Sequence, residues 1–340
     1  MADRLDMALV GCGAISGMHL MGIDESAPEI RITAAVDPVL ERAEALAEKT
    51  GARPFTSLAE ALSESDFDAV DLMLPHDLHE EVACECLAAG KHVLLEKPMA
   101  TDVDACGRIM EAASNAKGVF MVAENAQYWP EVVRAKELLE AGAIGELVTV
   151  RASVNSTFTS DDPFYGGDRP WRFNKSVAGG GVGLDVGSHW IRPLRMWLGE
   201  VEEVIAHLGY PAKDMEGESL VRALMRFDEG RVATFEAAMY PDAVLGSDTL
   251  FRLTGTEGEI VIESTLGGRL VLYDRDNPKG LKEEPRGYLA SYGPEFADFV
   301  SAVLHGSELV AGPEQAIGEL RTALAMYRSA ESGHWEKVWD

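Results

Sequence analysis

Cysteine is scarce: Cys12, Cys84, Cys86 and Cys106 are the four thiols in 340 residues. So few cannot build a disulfide framework, and a chain of this kind is expected in a reducing compartment, the cytoplasm. Basic residues are short as well. Thirty Lys plus Arg face 57 Asp plus Glu, leaving a net charge of −27 at pH 7. Such a surface repels phosphate backbones and anionic lipid, so neither nucleic acid nor membrane is an expected partner. Long apolar runs are missing too: none approaches the roughly 20 residues that a membrane span requires. The opening MADRLDMALVGCG mixes acids into a short apolar run and does not read as a signal peptide. Neither an internal repeat nor a low-complexity tract is present.

What is present is core-forming material. At 46% apolar residues, a chain of this length can fill two domains. His76, His79, Cys84 and Cys86 stand close enough in sequence to suggest a metal site. Residues 77–89 carry helical spacing, however, which points 84 and 86 to different faces, so no metal is expected there.

From residue 5 to about 125, short β-rich runs alternate with helical patterns. The strands are expected at 5–10 (LDMALV), 30–36 (IRITAAV), 69–74 (AVDLML), 92–95 (HVLL) and 118–123 (GVFMVA). The helices are expected at 38–50, 77–89 and 101–116, the last with Thr101 as its cap. This alternation predicts an α/β domain over 1–125 with a doubly wound parallel sheet, and ligands of such sheets bind beyond the carboxyl ends of the strands. Past 125 the pattern changes to a helix at 130–141 and longer alternating segments between 146 and 273, several joined by hairpin turns such as DEG and TEG. Residues 126–340 are therefore expected to form an α+β domain with a large, mostly antiparallel sheet. The tail returns to helix at 294–305 and 313–330, helices that can pack back on the first domain.

Directly after the first strand comes GCGAISGMH, in which Gly11 and Gly13 fill two positions of a G-x-G-x-x-G turn and Ser16 stands at the third. With Ala14 and Ile15 between them, these residues let backbone N–H groups and a helix N-terminus approach a pyrophosphate. Asp37 follows the second strand, twenty residues after Gly17. It suits the carboxylate that accepts ribose hydroxyls and repels a 2′-phosphate, and equally a cap for a helix that Pro38 begins. NAD is expected over NADP, with Arg42 as the residue that could favour a phosphate.

KHVLLEKPMA ends a strand with Glu96, Lys97 and Pro98. A lysine there points into the cleft, either paired with Glu96 or placed to hydrogen-bond a reacting oxygen. Asp185 and His189 are four residues apart, so a helix would set both on one face, and an imidazole suits proton removal from an alcohol. Asn125, Gln127 and Tyr128 follow the fifth strand and are candidates for cofactor and substrate contacts, whereas Trp129 is expected to pack. The stretch FYGGDRPWRF offers Tyr165, Asp168, Trp171 and Arg172, an aromatic platform with forked donors.

Three stretches, GCGAISGMH, PHDLHEEVACECLAAGKHVLLEKPMA and WRFNKSVAGGGVGLDVGSHWIRPLRMWLG, together resemble the Gfo/Idh/MocA oxidoreductase family over nearly the whole chain. The resemblance implies a Rossmann domain for the cofactor and a C-terminal domain whose open sheet serves substrate binding and subunit contacts in a homodimer or homotetramer. It assigns the catalytic lysine to Lys97 and the D-x-G-x-H acid and histidine to Asp185 and His189. It also places Pro75 and His76 near the cofactor, with His79 at the following helix start. The chain departs from many relatives at Arg192, where they carry Asp, and Pro193 follows it. Arg192 could mark an acidic substrate or an internal ion pair, and Pro193 removes the N–H that the His189 carbonyl would accept in a regular helix. The expected activity is NAD-dependent oxidation of a secondary hydroxyl on a sugar, glycoside or cyclic polyol. An NAD-using glycosidase acting by transient oxidation and elimination, or a dinucleotide sensor, remains as an alternative.

Overall fold

The computed structural model describes residues 4–166, 170–245, 249–263 and 268–339. Asp168, one of the residues singled out above, lies outside them. The chain begins with β1 (Leu5–Val10), α1 (Ser16–Ser26), β2 (Ile30–Val36), α2 (Leu40–Thr50), β3 (Arg53–Phe55), α3 (Leu58–Glu64), β4 (Ala69–Leu72), α4 (His79–Ala88), β5 (His92–Glu96), α5 (Val103–Asn115) and β6 (Phe120–Ala123). These strands form one parallel sheet in the order β3-β2-β1-β4-β5-β6. Growth of the sheet reverses between β1 and β4, which opens a crevice at the carboxyl ends of those strands.

Both faces of this sheet are covered, so its middle strands are mostly apolar, with Asp71 of β4 a buried exception. Met7, Leu9, Leu72, Leu94 and Leu95 are each 0% exposed. β3 and α3 fall where the sequence showed no pattern, because a three-residue strand is too short to display a period. The cap of α5 is Asp102, whose side chain accepts the Ala105 N–H at 2.9 Å, rather than the expected Thr101. α2 starts at Leu40 instead of Pro38, with Val39 at its cap position.

The second part continues with α6 (Pro130–Glu140), β7 (Leu147–Phe158), α7 (Lys175–Ala178), α8 (Val182–Asp185), α9 (Ser188–Leu198), β8 (Val201–Gly209), β9 (Leu220–Phe227), β10 (Val232–Pro241), β11 (Thr249–Gly255), β12 (Glu259–Glu263), β13 (Arg269–Tyr273) and β14 (Leu281–Glu283). Then follow α10 (Tyr292–His305), α11 (Ala316–Ser332) and β15 (Glu336–Lys337). A nine-stranded sheet runs β14-β13-β12-β11-β7-β10-β9-β8-β15. Among the described residues only β7 and β10 pair in parallel, so the sheet is mostly antiparallel as the alternation predicted. Along β9 and β10 the inward positions Val221, Met225, Phe227, Ala233 and Phe235 are buried, and the intervening ones carry cross-strand pairs such as Arg226 with Glu203.

Two compact units result. One comprises the chain up to Glu124 together with Tyr292–Ile317; the other comprises Asn125–Ser291 and the chain from Gly318. α10 thus belongs with the parallel sheet and α11 with the antiparallel one. Among the described residues no helix is long and apolar enough to cross a membrane.

Candidate active site

In the unit with the parallel sheet, the chain leaves β1 at Gly11 with φ +96°, and a Cβ there would stand 2.1 Å from the Met73 carbonyl oxygen. Only glycine fits both conditions. Above Gly13 and Gly17 a Cβ would meet nothing within 4 Å. Gly13 and Ala14 are exposed and Ile15 is half-buried. Ser16, at the third motif position, turns inward, with its Oγ donating to the Gly13 carbonyl at 2.7 Å. No side chain caps α1 and no acid stands in its first turn, so nothing in that helix opposes an anion at its N-terminus.

Asp37 is buried, not solvent-exposed. Its Oδ2 accepts the Cys12 N–H and its Oδ1 the Val39 N–H, both at 2.9 Å. One carboxylate therefore ties the end of β2 to the glycine turn, while Arg42 lies exposed on α2. Burial, and then the neighbouring Asp37 charge, push the Cys12 thiol up to about 12, which leaves it a poor nucleophile.

Val10, Leu72 and Leu95 are register partners across β1, β4 and β5, so Gly11, Pro75 and Lys97 all leave the sheet from one carboxyl edge. His76 is buried and meets the His79 ring edge-on at 5.5 Å. The His79 ring nitrogens lie 2.8 Å from the Pro98 carbonyl oxygen and 3.0 Å from that of Leu74. Burial lowers its pKa against the opposing pull of those two carbonyls, and the ring bridges the β4 end and the segment that follows Lys97. Glu96 uses one oxygen to accept the Lys97 backbone N–H at 2.9 Å, and its other lies 2.9 Å from His19 Nε2. The Lys97–Pro98 peptide is cis. Among the described residues no three His, Cys, Asp or Glu side chains are grouped to hold a metal ion.

The unit with the antiparallel sheet holds Asp185 and His189. Asp185 ends α8, the backbone stays right-handed helical through Val186 and Gly187, and α9 starts at Ser188. A Cβ on Gly187 would stand 2.2 Å from the Gly183 carbonyl oxygen and 2.9 Å from Phe235 Cζ on β10, which is why the motif has glycine there. Asp185 is buried, with its Oδ2 accepting the Tyr165 hydroxyl at 2.5 Å and Arg172 Nε at 2.9 Å. Burial, and then the Asp185 charge, hold the Tyr165 hydroxyl well above its ordinary range, so it stays a neutral donor. The Arg172 guanidinium lies over the Trp171 ring, 4.2 Å from its centroid. His189 is half-buried at the start of α9. The start of α8 is held by Glu218, whose Oε1 accepts the Gly183 N–H at 2.8 Å and the Tyr327 hydroxyl at 3.0 Å.

Arg192 resolves as an internal ion pair: its Nη2 lies 3.1 Å from Glu319 Oε2, and both side chains are buried. Arg195 meets the other Glu319 oxygen. α9 runs through Pro193 to Leu198 without stopping. Asn125 Nδ2 donates to Ser291 Oγ at 2.9 Å, and Gln127 Oε1 is buried with no hydrogen-bond partner. Tyr128 is buried, and Trp129 packs edge-on against Trp190, Phe251 and Tyr288.

A model described as the GFO_IDH_MocA oxidoreductase family, NAD-binding Rossmann fold, matches residues 5–124, and one for the GFO/IDH/MocA C-terminal domain matches residues 132–261. The chain belongs to the Gfo/Idh/MocA oxidoreductase family. Levoglucosan dehydrogenase of Pseudarthrobacter phenanthrenivorans is 28% identical over 292 residues, 76% of this chain and 73% of that one. Inositol 2-dehydrogenase of Rubrobacter xylanophilus is 26% identical across 99% of this chain and 94% of its own. A solved levoglucosan dehydrogenase, in complex with NADH and levoglucosan, superposes with a TM-score of 0.87 at 25% identity, covering 99% of this chain and 100% of that one.

For a member of the Gfo/Idh/MocA family, the parallel-sheet unit is the NAD-binding Rossmann fold. Its residues suit a dinucleotide: open space above Gly13 and Gly17, an uncapped α1 and a carboxylate fixed at the end of β2. Sequence reasoning passed over His19 and Asp71. Both were legible, since an acid inside the apolar run AVDLML needs a cationic partner in the core.

Proposed function

We propose that the protein is an NAD-dependent dehydrogenase that oxidises a secondary hydroxyl on a sugar, glycoside or cyclic polyol. The observation that carries this reading is the buried Asp185 carboxylate, held by Tyr165 and Arg172 four residues before His189. A fixed acceptor beside a half-buried imidazole suits a substrate with adjacent hydroxyls, one to be held and one to lose its proton. The levoglucosan and inositol dehydrogenases to which the chain is similar are named for a sugar derivative and a cyclic polyol.

In this reading His189 accepts the hydroxyl proton and the Lys97 ammonium stabilises the alkoxide as it forms. Asp185 accepts a hydrogen bond from the neighbouring hydroxyl. Arg172, stacked on Trp171, fixes that carboxylate. Gln127 Oε1, buried without a partner, accepts from a ligand donor, and Tyr128 stands beside it in the chain. Gly11 to Ser16 hold the pyrophosphate and Asp37 the adenosine ribose. Pro75, His76, Glu96 and Asn125 line the remainder of the cofactor site, with His79 bracing Lys97. Nicotinamide, when bound, takes up the hydride. NAD is preferred because a carboxylate at Asp37 accepts ribose hydroxyls and repels a 2′-phosphate.

The test follows nicotinamide absorbance with NAD and NADP in parallel, offering levoglucosan, inositols, free aldoses and aryl glycosides. NADH accumulating with one substrate class supports the reading. Aglycone release without NADH replaces it with an elimination mechanism, and tight NAD binding without turnover of any class replaces it with a sensor.

A further inference from the structure

His19 lies on α1, just past the glycine turn, and is 0% exposed. Its Nδ1 is 2.8 Å from Asp71 Oδ2 in β4, and its Nε2 is 2.9 Å from Glu96 Oε1 at the end of β5. Two such contacts need two protons between them. Either an imidazolium stands between two carboxylates, or a neutral ring faces one carboxylate and one protonated carboxyl.

Both arrangements tie the ring to both acids. Tyr292 and Phe296 of α10 cover the His19 ring at 5.8 and 5.3 Å, and Glu295 of the same helix is 0% exposed with neither oxygen hydrogen-bonded. The titratable groups bearing on this pocket are Asp71 from β4, Glu96 from β5, Glu295 from α10 and Glu124 just past β6. Burial works to discharge His19, and the two contacting carboxylates overcome it, leaving the ring's pKa well above its ordinary value. Burial raises the Glu295 pKa well above the ordinary carboxylate range, with the His19 charge opposing the rise. Burial likewise raises the Asp71 pKa, against the pull of the His19 charge, and in either arrangement of the two protons the ring is hydrogen-bonded to both acids.

Stability alone does not account for this group. Replacing a buried ion triad with apolar side chains of similar volume is often neutral or stabilising. Its outward end shows what it does instead. The Glu96 oxygen that His19 does not contact accepts the backbone N–H of Lys97 at 2.9 Å. Asp71 fixes the ring, the ring fixes Glu96, and Glu96 fixes the first peptide of the lysine segment.

We propose that His19, braced by Asp71, is a positioning residue that holds Glu96 and through it the backbone of Lys97, so that the lysine is aimed for the reaction proposed above, on which this inference rests. A misplacement of about 1 Å at a reacting group can cost on the order of 100-fold in rate.

The experiment compares His19→Gln, Lys97→Ala and the double variant in the full-length protein, measuring NADH affinity by fluorescence and kcat and KM on the substrate found in the screen. His19→Gln is expected to lower kcat by about 10- to 100-fold while KM and the NADH dissociation constant change by less than about threefold. In the Lys97→Ala background the same substitution is expected to cost nothing more, because a residue that acts through the lysine has no further effect once the lysine is gone. Losses that multiply in the double variant, or wild-type kcat in His19→Gln, overturn the proposal. Should His19→Gln fold poorly, Glu96→Leu decides, since its side chain can serve neither the His19 ring nor the Lys97 N–H. The same fall in kcat and the same lack of additivity with Lys97→Ala are expected, and wild-type kcat overturns the proposal. Wild-type turnover in Lys97→Ala would instead sink the assignment of Lys97 itself, and this inference with it, whereas inactive Lys97→Ala beside fully active His19→Gln sinks only the relay.

Discussion

Tyr165 donates its hydroxyl proton to Asp185 Oδ2 at 2.5 Å, and Arg172 Nε reaches the same oxygen at 2.9 Å. One carboxylate oxygen thus gathers a loop tyrosine and a stacked guanidinium at the end of α8. Tyr165→Phe removes a hydrogen bond to a charged acceptor, worth about 1.5–3 kcal/mol, and frees the carboxylate to rotate. The expected result is a fall in kcat/KM of about 10- to 100-fold with NADH affinity unchanged. Steady-state kinetics beside NADH fluorescence titration check it, and an unchanged kcat/KM would remove this cluster from the substrate site.

Asp37 joins the glycine turn to α2 through two backbone amides. Asp37→Ser keeps one acceptor and loses the charge that would repel a 2′-phosphate. The ratio of kcat/KM for NAD over NADP is expected to drop by about 10- to 100-fold, the size of one charge-assisted hydrogen bond. Parallel kinetics with both cofactors test this. A wild-type protein that already prefers NADP would reverse the assignment and direct attention to Arg42.

The parallel sheet was legible because its strands are mostly apolar on both faces and its helices carry a 3.6-residue period. β3, β14 and β15, with three, three and two residues, were not, since no period can show over so short a run. The glycine turn, Asp37, Lys97, Asp185 and His189 could all be picked out from residue type and spacing. The Tyr165–Asp185 bond could not, because the two lie twenty residues apart with α7 between them. Arg192 left two readings open, and the acid that settles it, Glu319, comes from a helix more than a hundred residues further along. His19 was visible within GCGAISGMH, but its role depends on two strands that follow it.

Glu295 gives a pH signature. Burial pushes its pKa well above 4.5, with Glu96, Glu124 and Asp71 adding to the rise and His19 opposing it. Because the folded pKa lies above the unfolded one, the native state retains a proton that the unfolded chain releases. Stability is therefore lost as pH rises from the unfolded value towards the folded one, by about 1.4 kcal/mol per pH unit in the limit. Glu295→Gln abolishes that proton linkage. Its Tm relative to wild type is expected to be lowest near pH 4 and to climb through pH 7, as measured by calorimetry at matched pH values. A difference that stays flat with pH would mean that Glu295 ionises normally.

Gly187 lies where the α8–α9 segment passes close over Phe235 of β10. A methyl group there would lie 2.2 Å from the Gly183 carbonyl oxygen and 2.9 Å from Phe235 Cζ, and neither the helix backbone nor a fully packed ring can retreat without moving the segment. Gly187→Ala is expected to destabilise the protein by about 1–3 kcal/mol, the usual cost of overpacking. It should also lower kcat/KM beyond the loss of folded protein, because Asp185 and His189 flank the displaced residue. Gly107→Ala is the matched control. It lies within α5 with nothing within 4 Å of the added Cβ, so helix propensity alone should raise stability by about 1 kcal/mol. Thermal unfolding of both variants separates the effects. Stabilisation by both would show that α8 and α9 can shift to accept a side chain, and the argument for glycine in the D-x-G-x-H motif would fail.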